Sequence, residues 1–200
     1  LTGCFGPVLG LMRAGSLKEA VAWQNATDYG LTAGLHSLDP DEVDWWKERV
    51  QAGNLYVNRP ITGAIVQRQP FGGWKKSCIG PGAKAGGPNY VLSLSRLSDS
   101  GQRPNDYEQV WKEHFAVGHD PSGLRCESNV FRYRPARGVI LRLATRDQLT
   151  IDRAQLASKI TGTPLVLSIA TEESDEQLIT RLPELATQAE FLRTVAVPGD

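Results

Sequence analysis

Residues 60–73 read PITGAIVQRQPFGG, with three glycines, two prolines and no acid. That mixture makes a poor helix and an interrupted strand, so the stretch is expected to be a loop kept for what it holds. Other residues able to do chemistry are scattered. Cys4, Cys78 and Cys126 stand too far apart for a CxxC metal or redox pair, and their odd number argues against a disulfide framework. No base lies near Cys4 in sequence, so it is not expected to be a nucleophile. His36, His114 and His119 have no zinc-ligand spacing and no nucleophile–base constellation, and are expected to serve packing or the surface. Lys75, Lys76 and Lys84 lie in a run rich in glycine and proline, WKKSCIGPGAKAGGPN (74–89). GxxxxGK[ST] is absent from it, so a solvated loop is expected rather than a phosphate cradle. Arg132, Arg134, Arg137 and Arg142 follow one another along VFRYRPARGVILRL (130–143). With no interleaved exposed aromatics beyond Tyr133, a salt-bridged strand edge is expected there, not a nucleic-acid surface.

Lysine plus arginine equal aspartate plus glutamate at 22 each, so no net field attracts nucleic acid or an anionic membrane, and any partner is recognised locally. No apolar run approaches the ~20 residues needed to span a bilayer, and no signal-like segment opens the chain. A soluble, cytoplasmic protein is expected. Two hundred residues can bury a real core. The chain opens at Leu1 inside an apolar run and its only methionine is Met12, so a piece of a longer polypeptide is expected.

Fourteen of the twenty glycines fall in the first hundred residues, and LSDSGQRPND (97–106) is polar and linker-like. Two units are expected: 1–97, a linker at 98–105, and 106–200. In the first, Ser16 with Glu19 reads as a capping box opening a helix to about Ala26. LTAGLHSL (31–38) reads as a strand, and Asp39-Pro40 starts a second helix with Val43, Trp46 and Val50 on one face and Gly53 as its C-cap. NLYVNR (54–59) is a strand that leads into the opening loop. This is the order of an α/β domain, in which ligands sit beyond strand ends. NYVLSLSRL (89–97) alternates and is expected to be an exposed edge strand that pairs with another chain.

The second unit is expected to begin with a helix, DYEQVWKEHF (106–115), capped by Asn105, and a turn at 118–123. A strand ending near Leu143, a helix over 150–160 closed by Gly162, a strand at 164–170, a helix near 174–182 and a strand at 194–197 give the order β-α-β-α-β. That is half of a Rossmann-like sheet.

CFGPVL (4–9), DYGLTAGLHS (28–37), AGNLYVNR (52–59) and PFGGWKKS (70–77) occur in the order and at about the spacing of the C-terminal part of an aldehyde dehydrogenase catalytic domain. Within that family, TGAIVQRQPFGG (62–73) with AGGPNY (85–90) resembles the pyrroline-5-carboxylate, or L-glutamate-γ-semialdehyde, dehydrogenases. These stand alone or form half of bifunctional proline utilisation A. The resemblance covers about residues 1–97. It implies NAD as cofactor, and FAD only if a proline dehydrogenase domain lies upstream. It also implies a mechanism in which a cysteine attacks the aldehyde, hydride passes to NAD⁺ and a glutamate helps water hydrolyse the thioester. Both residues are expected upstream of the Phe-Gly-Pro motif, so the 200-residue chain is expected to be inactive alone.

By the same resemblance, the backbone N–H groups of Gly63 and Ala64 bind the substrate's α-carboxylate and Phe71 packs on its aliphatic chain. Small residues suit that role, because a main-chain nest can then approach an anion closely. Phe5 corresponds to the aromatic near the nicotinamide end of the cofactor. Gly3 stands where most relatives have a glutamate for the nicotinamide ribose, which removes a bidentate acceptor. The implied partners are glutamate semialdehyde and, through 89–97, a second copy of the chain, with no nucleic acid and no membrane. Residues 129–170 resemble the start of the family's cofactor domain. The family's oxyanion asparagine has no match in ATRDQL (144–149), and its lysine after the second strand is replaced within SIATEES (168–174). The implied fold is α/β: the C-terminal part of the catalytic domain, then a Rossmann-like, degenerate, non-catalytic domain, present incompletely. A structural or interaction module derived from the family is the alternative.

Overall fold

A computed structural model describes residues 6–65, 68–79, 83–96 and 107–195. The chain forms two compact units, Leu1–Asp99 with His119–Phe131, and Ser100–Gly118 with Arg132–Asp200. Division at the polar linker alone therefore misses a crossing, because 119–131 goes back to the first unit. Glu127 and Asn129 account for this: one pairs with Arg59 and Arg68, the other bonds Gln69.

In the first unit, α1 (Leu17–Asn25) starts where the Ser16 hydroxyl accepts the N–H of Glu19. The Glu19 carboxylate reaches past the cap to Gly15 N–H at 2.7 Å instead of closing the box on Ser16. After β1 (Tyr29–Gly30) and β2 (Thr32–Leu35) comes α2 (Pro40–Arg49). Asp39 caps α2 by accepting from Asp41 and Glu42, with proline in its first turn, acids at its start and Lys47 and Arg49 at its end, all of which suit the helix dipole. β3 (Asn54–Val57) then runs parallel to β2, Thr32 opposite Asn54 and Leu35 opposite Val57. β4 (Trp74–Lys75) pairs antiparallel with β1. Val21, Ala33, Trp46, Val50 and Ala52 form the core, and Trp46 satisfies its indole N–H on Gln24 Oε1.

Two expectations change here. Gly53 is not the cap of α2, whose C-cap is Val50; a Cβ on Gly53 would lie 1.8 Å from the Gly72 carbonyl oxygen, so glycine is required by close approach. The expected strand at 89–97 is a single 3₁₀ turn, Leu92–Leu94, within the residues described. A lone strand leaves its main-chain groups unpaired, and here local bonds take them: Ser93 and Ser95 N–H reach Asn89 and Leu92, and their hydroxyls reach the carbonyls of Tyr90 and Val91.

The second unit starts with α3 (Tyr107–Val110), which continues as a π-helical turn, Trp111–Phe115; the expected cap, Asn105, lies outside the described residues. His114 packs against the rings of Phe115 and Tyr133. Then come β5 (Val139–Leu143), α4 (Gln148–Thr161), β6 (Leu165–Ile169), α5 (Asp175–Leu185) and β7 (Phe191–Val195). The strands form one parallel sheet in the order β6-β5-β7, so the first strand of the β-α-β-α-β run is central: this is the 2-1-3 order of a flavodoxin-like doubly wound sheet, not the 3-2-1 order of the expected half-Rossmann unit. Alternation on β5 divides the core: Leu141 and Leu143 meet Ile151 of α4, whereas Ile140 meets Leu178 and Leu185 of α5.

Arg142 is not at a strand edge. It is buried on the central strand, donating to Ser168 Oγ at 2.8 Å and Asp175 Oδ1 at 2.5 Å. Ser168 in turn donates to Glu173, and Arg181 pairs with the same carboxylate. These two donors hold the Glu173 carboxyl below the ordinary glutamate value.

Burial decides the expected cost of truncation on α4. Ile151→Ala, at a side chain 2% exposed, should lower unfolding stability by about 2–5 kcal/mol in urea titrations. Leu149→Ala, at a residue 56% exposed, should stay within about 0.5 kcal/mol.

Candidate functional site

The candidate loop leaves the C-terminal end of β3, beside the end of parallel β2. Asn58 staples the two ends: its Oδ1 accepts Ser37 N–H at 3.0 Å and its Nδ2 donates to Ser37 O at 2.8 Å. Asn58 itself takes φ 56°, a left-handed conformation that asparagine tolerates better than most residues. The chain then runs out to Gly63 and Ala64, both exposed, with Gly63 at φ 81° and nothing within 4 Å of where its Cβ would be. Among the described residues no acceptor pairs with the N–H of Gly63 or Ala64. Ile65 and Gln69 close the turn that follows, with Gln69 N–H on Ile65 O at 2.9 Å and Ile65 N–H on Gln69 Oε1 at 3.2 Å. Phe71 is fixed by two 3.0 Å main-chain bonds with Ala85, and its side chain stays partly exposed. Two successive donors with no acceptor among the described residues and an aromatic beyond the turn can receive a small anion with an apolar stem. Phe5, with Gly3 and Cys4, lies outside the described residues.

Beneath this loop is a polar hub that periodicity and motif reading missed. Lys84 Nζ donates to Gly53 O (2.5 Å), Gly72 O (2.8 Å) and Asn54 Oδ1 (3.1 Å). Asn54 completes the hub by accepting Gly72 N–H at 3.2 Å and donating to Pro70 O at 3.0 Å. Desolvation lowers the Lys84 pKa from 10.5 to about 8. The expectation of solvated loop charges thus fails for Lys84, and for Lys75, whose Nζ donates to Asn25 O and Thr27 O at the end of α1. It holds for Lys76, exposed and paired with Asp28. A signal for the hub does exist in the sequence: Asn54 occupies an inward position of a strand, where a polar side chain needs buried partners, and Lys84 is flanked by alanines and glycines small enough to admit it. Near it, the buried Tyr56 hydroxyl has no hydrogen-bond partner among the described residues.

Cys78 and Cys126 are free thiols. Among the described residues no group of three or more His, Cys, Asp or Glu could hold a metal ion, and no helix is long and apolar enough to cross a membrane.

Residues 2–98 match the model of the aldehyde dehydrogenase family. That segment belongs to the aldehyde dehydrogenase family. The chain is similar to the bifunctional protein PutA of Rhizobium meliloti, 41% identical over 134 residues, which are 64% of this chain and 10% of that protein. The chain is also similar to the 1-pyrroline-5-carboxylate dehydrogenase of Bacillus pumilus, 46% identical over 87 residues, 44% of this chain and 16% of that one. Among solved structures, proline utilization A from Corynebacterium freiburgense superposes with a TM-score of 0.75 at 40% identity, over 97% of this chain and 23% of that one. The chain therefore spans less than a quarter of the length of each of these relatives, and the structural likeness extends across both units.

The hub yields a pH prediction with a definite sign. Folded Lys84 gives up its proton near pH 8 and unfolded Lys84 near 10.5, so between those values the unfolded chain binds more protons and this group favours folding increasingly as pH rises. Lys84→Met should remove that rise. It should also cost about 1–3 kcal/mol at pH 7, because the oxygens of Gly53 and Gly72 lose their shared donor. Chemical denaturation at pH 7, 8, 9 and 10 checks both, and the gap between the two proteins should widen with pH above 8.

Proposed function

We propose that this chain is the C-terminal part of an NAD-dependent dehydrogenase that oxidises L-glutamate γ-semialdehyde, the open form of pyrroline-5-carboxylate, to L-glutamate in proline catabolism. The observation that carries the reading is the pair of N–H groups at Gly63 and Ala64 that have no acceptor among the described residues, at the mouth of a parallel strand pair and in the ordered family motif. In this reading they donate to the α-carboxylate, Phe71 lines the aliphatic chain, and the reacting cysteine and the general-base glutamate belong to sequence upstream of residue 1. The relatives' names, PutA and 1-pyrroline-5-carboxylate dehydrogenase, support the same substrate.

The cofactor, which would accept the hydride, is assigned to the first unit and the sequence before it, with Phe5 at its nicotinamide end. The second unit does not fit a dinucleotide. Glu172 and Glu173 follow β6, and Asp175 opens α5, so acids stand where a pyrophosphate would need donors. This supports reading the second unit as non-catalytic. A cytoplasmic location and self-association through 89–97 belong to the same proposal; Val91 and Leu94, 71% and 79% exposed, with the exposed Tyr90 and Leu92, are side chains available to a second copy.

In the complete polypeptide, Ala64→Asp should raise the KM for glutamate semialdehyde roughly ten- to a hundred-fold, because carboxylate faces carboxylate and charge-assisted bonds worth about 1.5–3 kcal/mol are lost. An unchanged KM in steady-state assays would sink the anchor role. The 200-residue chain alone should show no NADH formation with the semialdehyde at any enzyme concentration, and turnover by the pure chain would contradict the placement of the nucleophile.

A further inference from the structure

Gly63 and Ala64 have little around them to hold them in place. Anion binding by main-chain donors is strong only when the donors are already oriented, so some other element must fix the loop. Residues 119–131 do so. Their ends are pinned by the antiparallel bridge between His119 and Phe131, with both main-chain bonds at 2.8 Å. Inside, Asp120 accepts the hydroxyl of Ser122 and the N–H groups of Asn129 and Ser122, and these bonds, the hydroxyl's foremost, hold its carboxyl below the ordinary aspartate value. Asn129 is buried, and its Nδ2 donates to Ser122 Oγ (3.0 Å) and Glu127 Oε1 (3.2 Å). Its Oδ1 accepts Gln69 Nε2 at 2.9 Å. Gln69 Oε1 in turn accepts the N–H of Ile65, the residue after Ala64.

The polarity of this relay runs one way. A carboxylate at Glu127 can only accept and an amide at Ile65 can only donate, so the two ends dictate the orientation of both side-chain amides between them. Glu127 also faces Arg59 at 3.4 Å and Arg68 at 3.8 Å, one before the loop and one within its turn. One short segment therefore grips both sides of the candidate anchor.

We propose that Asn129 and Glu127 are positioning residues for substrate binding: acting through Gln69, the 119–131 segment orients the Gly63 and Ala64 amides toward the carboxylate. This rests on the anchor reading given above. Asn129→Ala removes the relay at its centre. Gln69→Glu keeps an acceptor for Ile65 but sets two acceptors face to face at position 129, and serves if the buried substitution impairs folding.

In the complete polypeptide, each variant should speed amide deuterium exchange of peptides covering 61–69 by about ten-fold, since an opened loop loses its protection. Each should raise the KM for glutamate semialdehyde about five- to twenty-fold with kcat within two-fold, leave the KM for propanal unmoved, and combine with no further loss in the double variant. Unaltered exchange in both variants overturns the proposal, as does an equal loss for both aldehydes, which marks general destabilisation. Faster exchange with an unmoved semialdehyde KM, while Ala64→Asp raises it, overturns the positioning role and leaves the anchor. An unmoved KM in Ala64→Asp as well removes the anchor reading, and this proposal with it.

Discussion

The ammonium of Lys84 sits among oxygens supplied by Gly53, Asn54 and Gly72, and none of these three contacts is a carboxylate. Burial without a countercharge is unfavourable, as the lowered pKa records, and it persists because the alternative is several buried oxygens without a donor. Much of the first unit depends on that arrangement. It ties the start of β3 to the turn after Phe71, fixes how closely Gly53 and Gly72 approach, and so sets the two ends of the segment from which Gly63 and Ala64 project. The lysine thus acts as a neutral-ligand clasp at the base of a loop whose tip, Gly63 and Ala64, stands exposed.

The second unit handles charge in the opposite manner. Arg142, buried on a central strand, is surrounded by Ser168, Glu173 and Asp175, and Arg181 and Arg146 extend the pairing to the surface through Glu173 and Glu172. A parallel sheet mouth of this kind is where α/β folds bind ligands. Here the polar groups named are satisfied by one another, which stabilises a fixed arrangement.

Elements whose ends are set by nearby side chains were legible in the sequence. Ser16, Asp39 and Gly162 stop and start helices through contacts a few residues long, and the near-continuous apolar runs LVLSI and VILRL mark buried parallel strands. The ordered motifs also pointed to the anchor loop as the place of interest. What escaped was determined by distant partners. Lys84 meets Gly53 across 31 residues and Gln69 meets Asn129 across 60, and neither separation leaves a periodic trace. Alternation in NYVLSLSRL misled for a related reason: a strand needs a neighbour, and among the described residues this stretch has none.

The return of 119–131 to the first unit has a consequence for how such a protein can be divided. The chain passes from the first unit to the second, back, and out again, so the linker near residue 100 joins the units without separating them. A cassette cut there, by an engineer or by recombination, would carry the loop away without the segment that braces it. The second unit therefore cannot be cut off cleanly at the linker, because part of the chain leading into it has been borrowed by the first.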